Sequence, residues 1–180
     1  MTHLYAFPSL DERERVRREL GTVPEWRDFL SRSRPHLLSQ SSSLFVESLD
    51  VVQELQLPGV NGHDSRGSDG PGVYQLKTQD MDPEWGSPDK LLDALYPSLK
   101  AKVKAARHVD AELVTVGASV FGRGGRVVQL WRYPSLQAIV DARGAIQANR
   151  QWASSQRAAS QFIRGFGNAV LRPTPFSPWQ

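Results

Sequence analysis

The chain contains no cysteine. That excludes disulfides, a thiolate nucleophile and a cysteine-ligated zinc site, and it leaves the redox compartment open. Long apolar runs are missing as well, since no stretch approaches the roughly 18–20 apolar residues that a membrane-spanning helix needs. The N-terminus has neither the apolar core of a secretory signal nor the acid-poor character of a mitochondrial presequence. Asp11, Glu12 and Glu14 are mixed there among Arg13, Arg15, Arg17 and Arg18.

The motifs of common chemistries are absent too. His3, His36, His63 and His108 are scattered, without His-x₃-His or His-Glu-x-x-His spacing, so no metal site is expected. There is no Gly-Lys-Ser/Thr phosphate loop, and Gly122, Gly124 and Gly125 fall between two strands, where glycines make a hairpin turn. Asp80, Asp82, Glu84 and Asp89 cluster without a Ca²⁺-loop pattern. The preference of carboxylates for the positive end of a helix accounts for them. Ser9 and Ser135 lie in no Gly-x-Ser-x-Gly elbow. Neither a catalytic residue nor a cofactor is expected.

What remains is enough to fold. The 180 residues suit one domain, or a domain and a fragment, and 39% apolar with 23% charged residues is more polar than average without reaching the regime of disordered chains. The net charge of +3 is unevenly distributed, because residues 71–180 carry 14 basic groups against 8 acidic ones. These cations are spread along the chain rather than gathered in a block, which suits a soluble basic surface better than a nucleic-acid site.

A repeat organises the sequence. Leu4-Tyr5-Ala6-Phe7-Pro8-Ser9-Leu10 matches Leu130-Trp131-Arg132-Tyr133-Pro134-Ser135-Leu136 at an offset of 126 residues. Without a gap, the same offset places Arg17 on Arg143, Leu20 on Ile146, Trp26 on Trp152, and Leu44-Phe45 on Val170-Leu171. Matched aromatic, proline and tryptophan positions over some forty residues indicate a duplication.

The second copy is complete. Val73–Thr78 reads as a strand, and Ser87-Pro88-Asp89 opens a helix with Leu91, Leu92, Leu95, Leu99 and Val103 on one face and Pro97 as a kink. Leu113–Phe121 and Val127–Tyr133 are β-branched and aromatic, as strands prefer. Ser135 caps a helix that breaks near Asn149, a second helical piece holds Trp152 and Phe162, and the strand 168–172 follows. This order, βαββαβ, predicts an α+β fold of the ferredoxin-like kind, with helices on one face of an antiparallel sheet.

The first copy begins in the middle of that unit and predicts a half repeat, βαβ, over residues 1–50. Leu4–Phe7 would be its first strand, Thr22-Val23-Pro24-Glu25 a capping box, and Leu44-Phe45-Val46 its second strand. Trp26, Phe29, Leu30, Leu37 and Leu38 would point inward. Residues 51–71, rich in glycine, proline and small polar residues, read as a flexible linker, with 72–180 as the complete repeat.

In this order the residues resemble the NIPSNAP family. Leu130-Trp131-Arg132-Tyr133 is similar to its aromatic strand, Gly72-Val73-Tyr74-Gln75-Leu76 to its repeat-opening strand, and Arg32-Ser33-Arg34-Pro35-His36-Leu37-Leu38-Ser39 to its Arg-Ser-Arg, Leu-Leu-Ser segment. Pro173-Thr174-Pro175-Phe176-Ser177-Pro178 resembles its terminus. The resemblance implies ferredoxin-like repeats of the dimeric α/β-barrel group, association with mitochondria, and adaptor roles in vesicle transport and mitophagy. The chain departs from the family pattern in lacking a presequence and the first half of the first repeat. It reads as an N-terminally truncated form, mitochondrion-associated or cytosolic.

Three functions follow from these features. The first is a non-enzymatic adaptor that binds proteins and pairs sheet to sheet with itself or a related repeat, Trp131 and Tyr133 lying on the sheet face that helices leave uncovered. The second is a ligand carrier or enzyme with its cleft between sheet and helices, for which Tyr74, His108 and Arg132 are candidates by fold analogy alone. The third, nucleic-acid binding, is the weakest, because the RNP pattern is missing.

Overall fold

The computed structural model describes residues 2–39, 41–63, 72–81, 88–121, 125–175, 177 and 179. The chain divides into two compact units, Met1–Ser42 and Ser43–Gln180.

The first unit is helical. In α1 (Leu10–Leu20) the Ser9 hydroxyl accepts the Glu12 N–H, with Asp11 and Glu12 in the first turn and Arg17 and Arg18 in the last. Both charge placements favour the helix dipole. Helix α2 (Pro24–Ser33) starts with proline in its first turn. The expected capping box does not form, because Val23 is the N-cap and the Thr22 hydroxyl donates to the Glu19 carbonyl instead.

Leu4–Phe7 is not a strand either, and no residue of α1 or α2 is fully buried. Trp26 stacks on Phe29 at 5.4 Å, while Phe29, Leu37 and Leu38 are exposed rather than inward-facing. The reason is the lack of a sheet within this unit. An amphipathic helix buries its apolar stripe only against another layer.

The second unit is a five-stranded antiparallel sheet in the order β1-β3-β4-β2-β5, formed by β1 (Leu44–Glu47), β2 (Val73–Met81), β3 (Glu112–Phe121), β4 (Arg126–Tyr133) and β5 (Ile163–Leu171). Strands β2 to β5 with α5 (Pro88–Ala106), α6 (Leu136–Gln147) and α7 (Arg150–Ser160) make the expected ferredoxin-like βαββαβ unit. Helix α5 runs unbroken past Pro97. Leu91, Leu92, Leu95 and Leu99 of α5 and Ala138, Ala142 and Ile146 of α6 close on Leu113, Val116, Val127, Trp131 and Tyr133 of the sheet. A smaller cluster, Tyr74, Val114 and Leu130 with Leu76, Leu171 and Trp179, occupies the opposite face.

The expected linker needs correction. Residues 49–62 hold two short helices, α3 (Leu49–Glu54) and α4 (Gly59–Gly62), with Leu55 buried in the main core and Val51 and Leu57 packed on it. Val51 and Leu55 stand four residues apart, a helical spacing that the glycine and proline content of the following residues obscured. Residues 64–71 of that segment lie outside the described residues.

Strand β1 belongs to the first copy by sequence but extends the sheet of the second. It lies antiparallel on β3, with Val46 opposite Ala118 and Glu47 opposite Gly117. Glu47 locks it there, accepting the Thr115 hydroxyl at 2.5 Å and the Val60 N–H at 2.8 Å. Gly117 makes the approach possible, because a Cβ at that position would sit 2.4 Å from the Val46 carbonyl oxygen.

Candidate functional site

Strands β2 and β4 lie side by side at the centre of the ferredoxin-like unit, in register from Val73 opposite Tyr133 to Asp80 opposite Arg126. Because side chains alternate between faces, each strand contributes one row to the helix-covered face and one to the other.

The helix-covered row of β4 is Val127, Gln129, Trp131 and Tyr133. Trp131 and Tyr133 are therefore buried beneath the helices and belong to the main core. This corrects the expectation that they form an uncovered interface. Spacing shows that two residues share a face but not which face the helices take. The Trp131 indole donates to the Gln129 amide oxygen at 3.0 Å, the Gln129 amide donates to Gln79 at 2.7 Å, and the Tyr133 hydroxyl donates to Gln75 at 3.3 Å. The buried aromatic tips are thus satisfied, as burial of polar groups requires. Burial raises the Tyr133 phenol to about 12.

The opposite face brings Tyr74 and Arg132 together, since they are direct cross-strand partners. It does not bring His108, which is exposed in the 3₁₀ turn after α5. A different histidine occupies the site. His63, at the end of α4, lies with Nε2 2.9 Å from the Tyr74 hydroxyl and Nδ1 3.2 Å from Glu112. Trp179 of the C-terminal segment stacks on Tyr74 at 5.5 Å and meets the edge of His63 at 5.3 Å. Sequence reading missed His63 because it lies in the segment taken for a linker, and Trp179 because it stands alone near the terminus.

Carboxylate, imidazole and phenol thus lie in a line, the imidazole sharing a hydrogen bond with the Tyr74 hydroxyl through one nitrogen and facing the Glu112 carboxylate with the other. Burial raises the Tyr74 phenol above its ordinary value, with Arg132 pulling the other way. Arg132 is itself 7% exposed, and its Nε makes no hydrogen bond among the described residues. Gly72 lets it lie so close, since a Cβ there would be 2.8 Å from Nε. Trp179 lies over the phenol and packs against the small cluster on this face of the sheet. The polar atoms of the group face one another and this aromatic ring.

Among the described residues no cluster of histidine and carboxylate side chains suits a metal ion. Asp80 is paired with Arg126 and Asp89 is exposed, while Asp82 and Glu84 lie outside the described residues. No helix among the described residues is long and apolar enough to cross a membrane. The outer strand β5 pairs with β2 along nearly its whole length and presents Phe166 and Val170 exposed.

Comparison with known proteins places this fold. A NIPSNAP family model matches residues 1–49 and 87–178. No curated protein matches the chain. Among solved structures, a NIPSNAP family protein of unknown function from Agrobacterium tumefaciens is similar, with 20% identity, a TM-score of 0.55, and coverage of 63% of this chain and 97% of that one. A second from the same organism has 18% identity and a TM-score of 0.56, covering 63% and 95%. An uncharacterized NIPSNAP domain protein from Burkholderia xenovorans has 17% identity and a TM-score of 0.50, covering 59% and 98%. The structural likeness carries the fold and the family model spans most of the sequence, so the chain belongs to the NIPSNAP family.

Proposed function

We propose that the protein is a non-enzymatic interaction module, an adaptor that joins other proteins, or a second copy of itself, through the edges of its sheet. The observation that carries this is β1, a strand from the first copy laid along the edge strand of the second. Edge pairing supplies main-chain hydrogen bonds to any extended partner, and side chains on one face supply selectivity. Strand β5, nine residues long with Phe166 and Val170 exposed, offers the other edge. The finer reading is an adaptor at mitochondria, in vesicle transport or mitophagy.

Sedimentation of the full chain tests the pairing. The wild type is expected to associate with rising concentration, and a Phe166→Lys, Val170→Lys variant to stay monomeric, because lysine on an edge opposes pairing. A wild type that remains monomeric throughout removes self-pairing. Failure of the full chain to co-fractionate with mitochondria removes the finer reading.

A second reading, a ligand carrier or enzyme, is favoured by one observation, the grouping of Tyr74, His63, Glu112 and Arg132. Robust turnover of a small molecule by the purified protein, abolished by Tyr74→Phe, would replace the adaptor reading.

A further inference from the structure

Between helices and sheet lies a polar island whose lysines have no carboxylate partner among the described residues. Lys77 sits at its centre on β2, flanked along the strand by Gln75 and Gln79 and across it by Gln129 and Asn168. Lys102 reaches down from α5, 7% exposed, with its Nζ 3.6 Å from the centroid of the Trp131 ring. The two lysine side chains adjoin, and Arg143 of α6 adds a third positive charge acting on Lys77. Among the described residues neither lysine forms an ion pair with a carboxylate.

This arrangement is costly when empty. A buried ammonium group loses its hydration and needs a partner, and a second ammonium beside it adds repulsion. Lys102 has the Trp131 π-face beneath it, a weaker partner for an ammonium group than a carboxylate. The cations are also graded in depth, with Arg143 exposed, Lys77 partly buried and Lys102 buried.

We propose that this island binds a small organic carboxylate, its anionic end held between Lys77 and Lys102 and its apolar body against Trp131. Side-chain ammonium and amide groups make up the donors. A phosphate site of the usual kind would instead gather backbone N–H groups at a helix N-terminus or the fork of an arginine. The site goes beyond the adaptor reading and does not depend on it, because it uses the helix-covered face and not the sheet edges. Burial shifts both lysines downward, towards the neutral amine, so an anion held between them would be taken up together with a proton.

The test uses the full chain, with its lysines reductively methylated by ¹³C-formaldehyde and followed by NMR, and benzoate, acetate and inorganic phosphate as probes at equal ionic strength. Benzoate is expected to shift the Lys77 and Lys102 signals saturably and to bind at least tenfold more tightly than phosphate. Acetate, lacking the apolar body, should bind more weakly than benzoate. On unmethylated protein, the same titration read at the Trp131 indole should weaken at least tenfold in Lys77→Gln and Lys102→Met and stay unchanged in Lys104→Met. Absence of a saturable shift, equal binding of phosphate, or unchanged affinity in Lys77→Gln overturns the proposal. Should Lys102→Met fail to fold, Lys77→Gln and the methyl signals of the wild type decide the matter.

Discussion

Ser9 and Ser135, 126 positions apart, cap α1 and α6 with the same bond, each hydroxyl accepting the backbone N–H three residues onward at 3.1 Å. Their backbones agree as well, with φ −154° and ψ 166° at Ser9 against φ −154° and ψ 169° at Ser135. The following helices, α2 and α7, also begin at equivalent positions, Pro24 and Arg150. The starts of these helices thus repeat, while the preceding strand is present only at 126–133 and the surroundings differ. Trp152 packs against the main core, and Trp26 stacks on the exposed Phe29.

Loss of a cap therefore has unequal consequences. Ser135→Ala is expected to lower stability by about 1 kcal/mol, since α6 packs on the sheet. Ser9→Ala should leave the main unfolding transition unchanged and reduce only local helicity, because α1 buries no residue. Urea denaturation followed by near-UV and far-UV circular dichroism separates the two.

Trp131 is a core residue here, so Trp131→Ala should cost about 3–5 kcal/mol through transfer and cavity terms. Phe166→Ala, at an exposed edge position, should change stability by no more than about 0.5 kcal/mol. Chemical denaturation of both variants checks this. A Trp131→Ala protein of normal stability but altered oligomeric state would restore the interface reading.

Gly117→Ala places a methyl group against the Val46 carbonyl, and β1 must move away. The expected result is loss of hydrogen-exchange protection at Ser48, whose N–H donates to the Val116 carbonyl, with β2, β4 and β5 still protected. Amide exchange by NMR reads the difference. Unchanged protection at Ser48 would show that β1 is not held by this edge.

Stability should depend on alkaline pH in two opposite ways. Lys102 is held well below the lysine range by burial and by Lys77, so the unfolded chain binds the extra proton and stability rises with pH towards the ordinary lysine value of about 10.5. The Tyr133 phenol is raised to about 12, so its contribution, complete below the ordinary value of about 10, is lost as pH climbs through 12. Urea midpoints measured from pH 7 to 12 should therefore pass through a maximum. Lys102→Met should flatten the rising limb and leave the falling one.

Much of this was legible in the chain itself. The alternation in Val127–Tyr133, the cap at Ser135 and the leucines of α5 specify local elements, and their order specifies the ferredoxin-like unit. Tyr74 and Arg132 meet on the sheet face opposite the main helices rather than in a cleft between sheet and helices, and His108 is not their partner, because periodicity assigns no face and the depth of a histidine after a helix depends on packing. His63 carried no sequence signal in a stretch dominated by glycine and proline. The shared face of Trp131 and Tyr133 followed from a period of two, but period alone assigns no face to the core.

The amino-acid order by itself determined where most helices and strands of residues 73–171 begin, which side chains share a face, and that a pattern of aromatic, proline and serine positions recurs at an offset of 126 residues. Those properties are local, set by backbone sterics, capping and periodicity over a few residues. Only the tertiary structure decided which face the helices cover, that β1 joins the edge of the sheet at β3, that Glu112, His63 and Tyr74 meet, and that Lys77 and Lys102 adjoin beneath the helices. Each of these depends on contacts between residues far apart in the chain, and packing of whole layers selects among faces that local preferences leave equivalent.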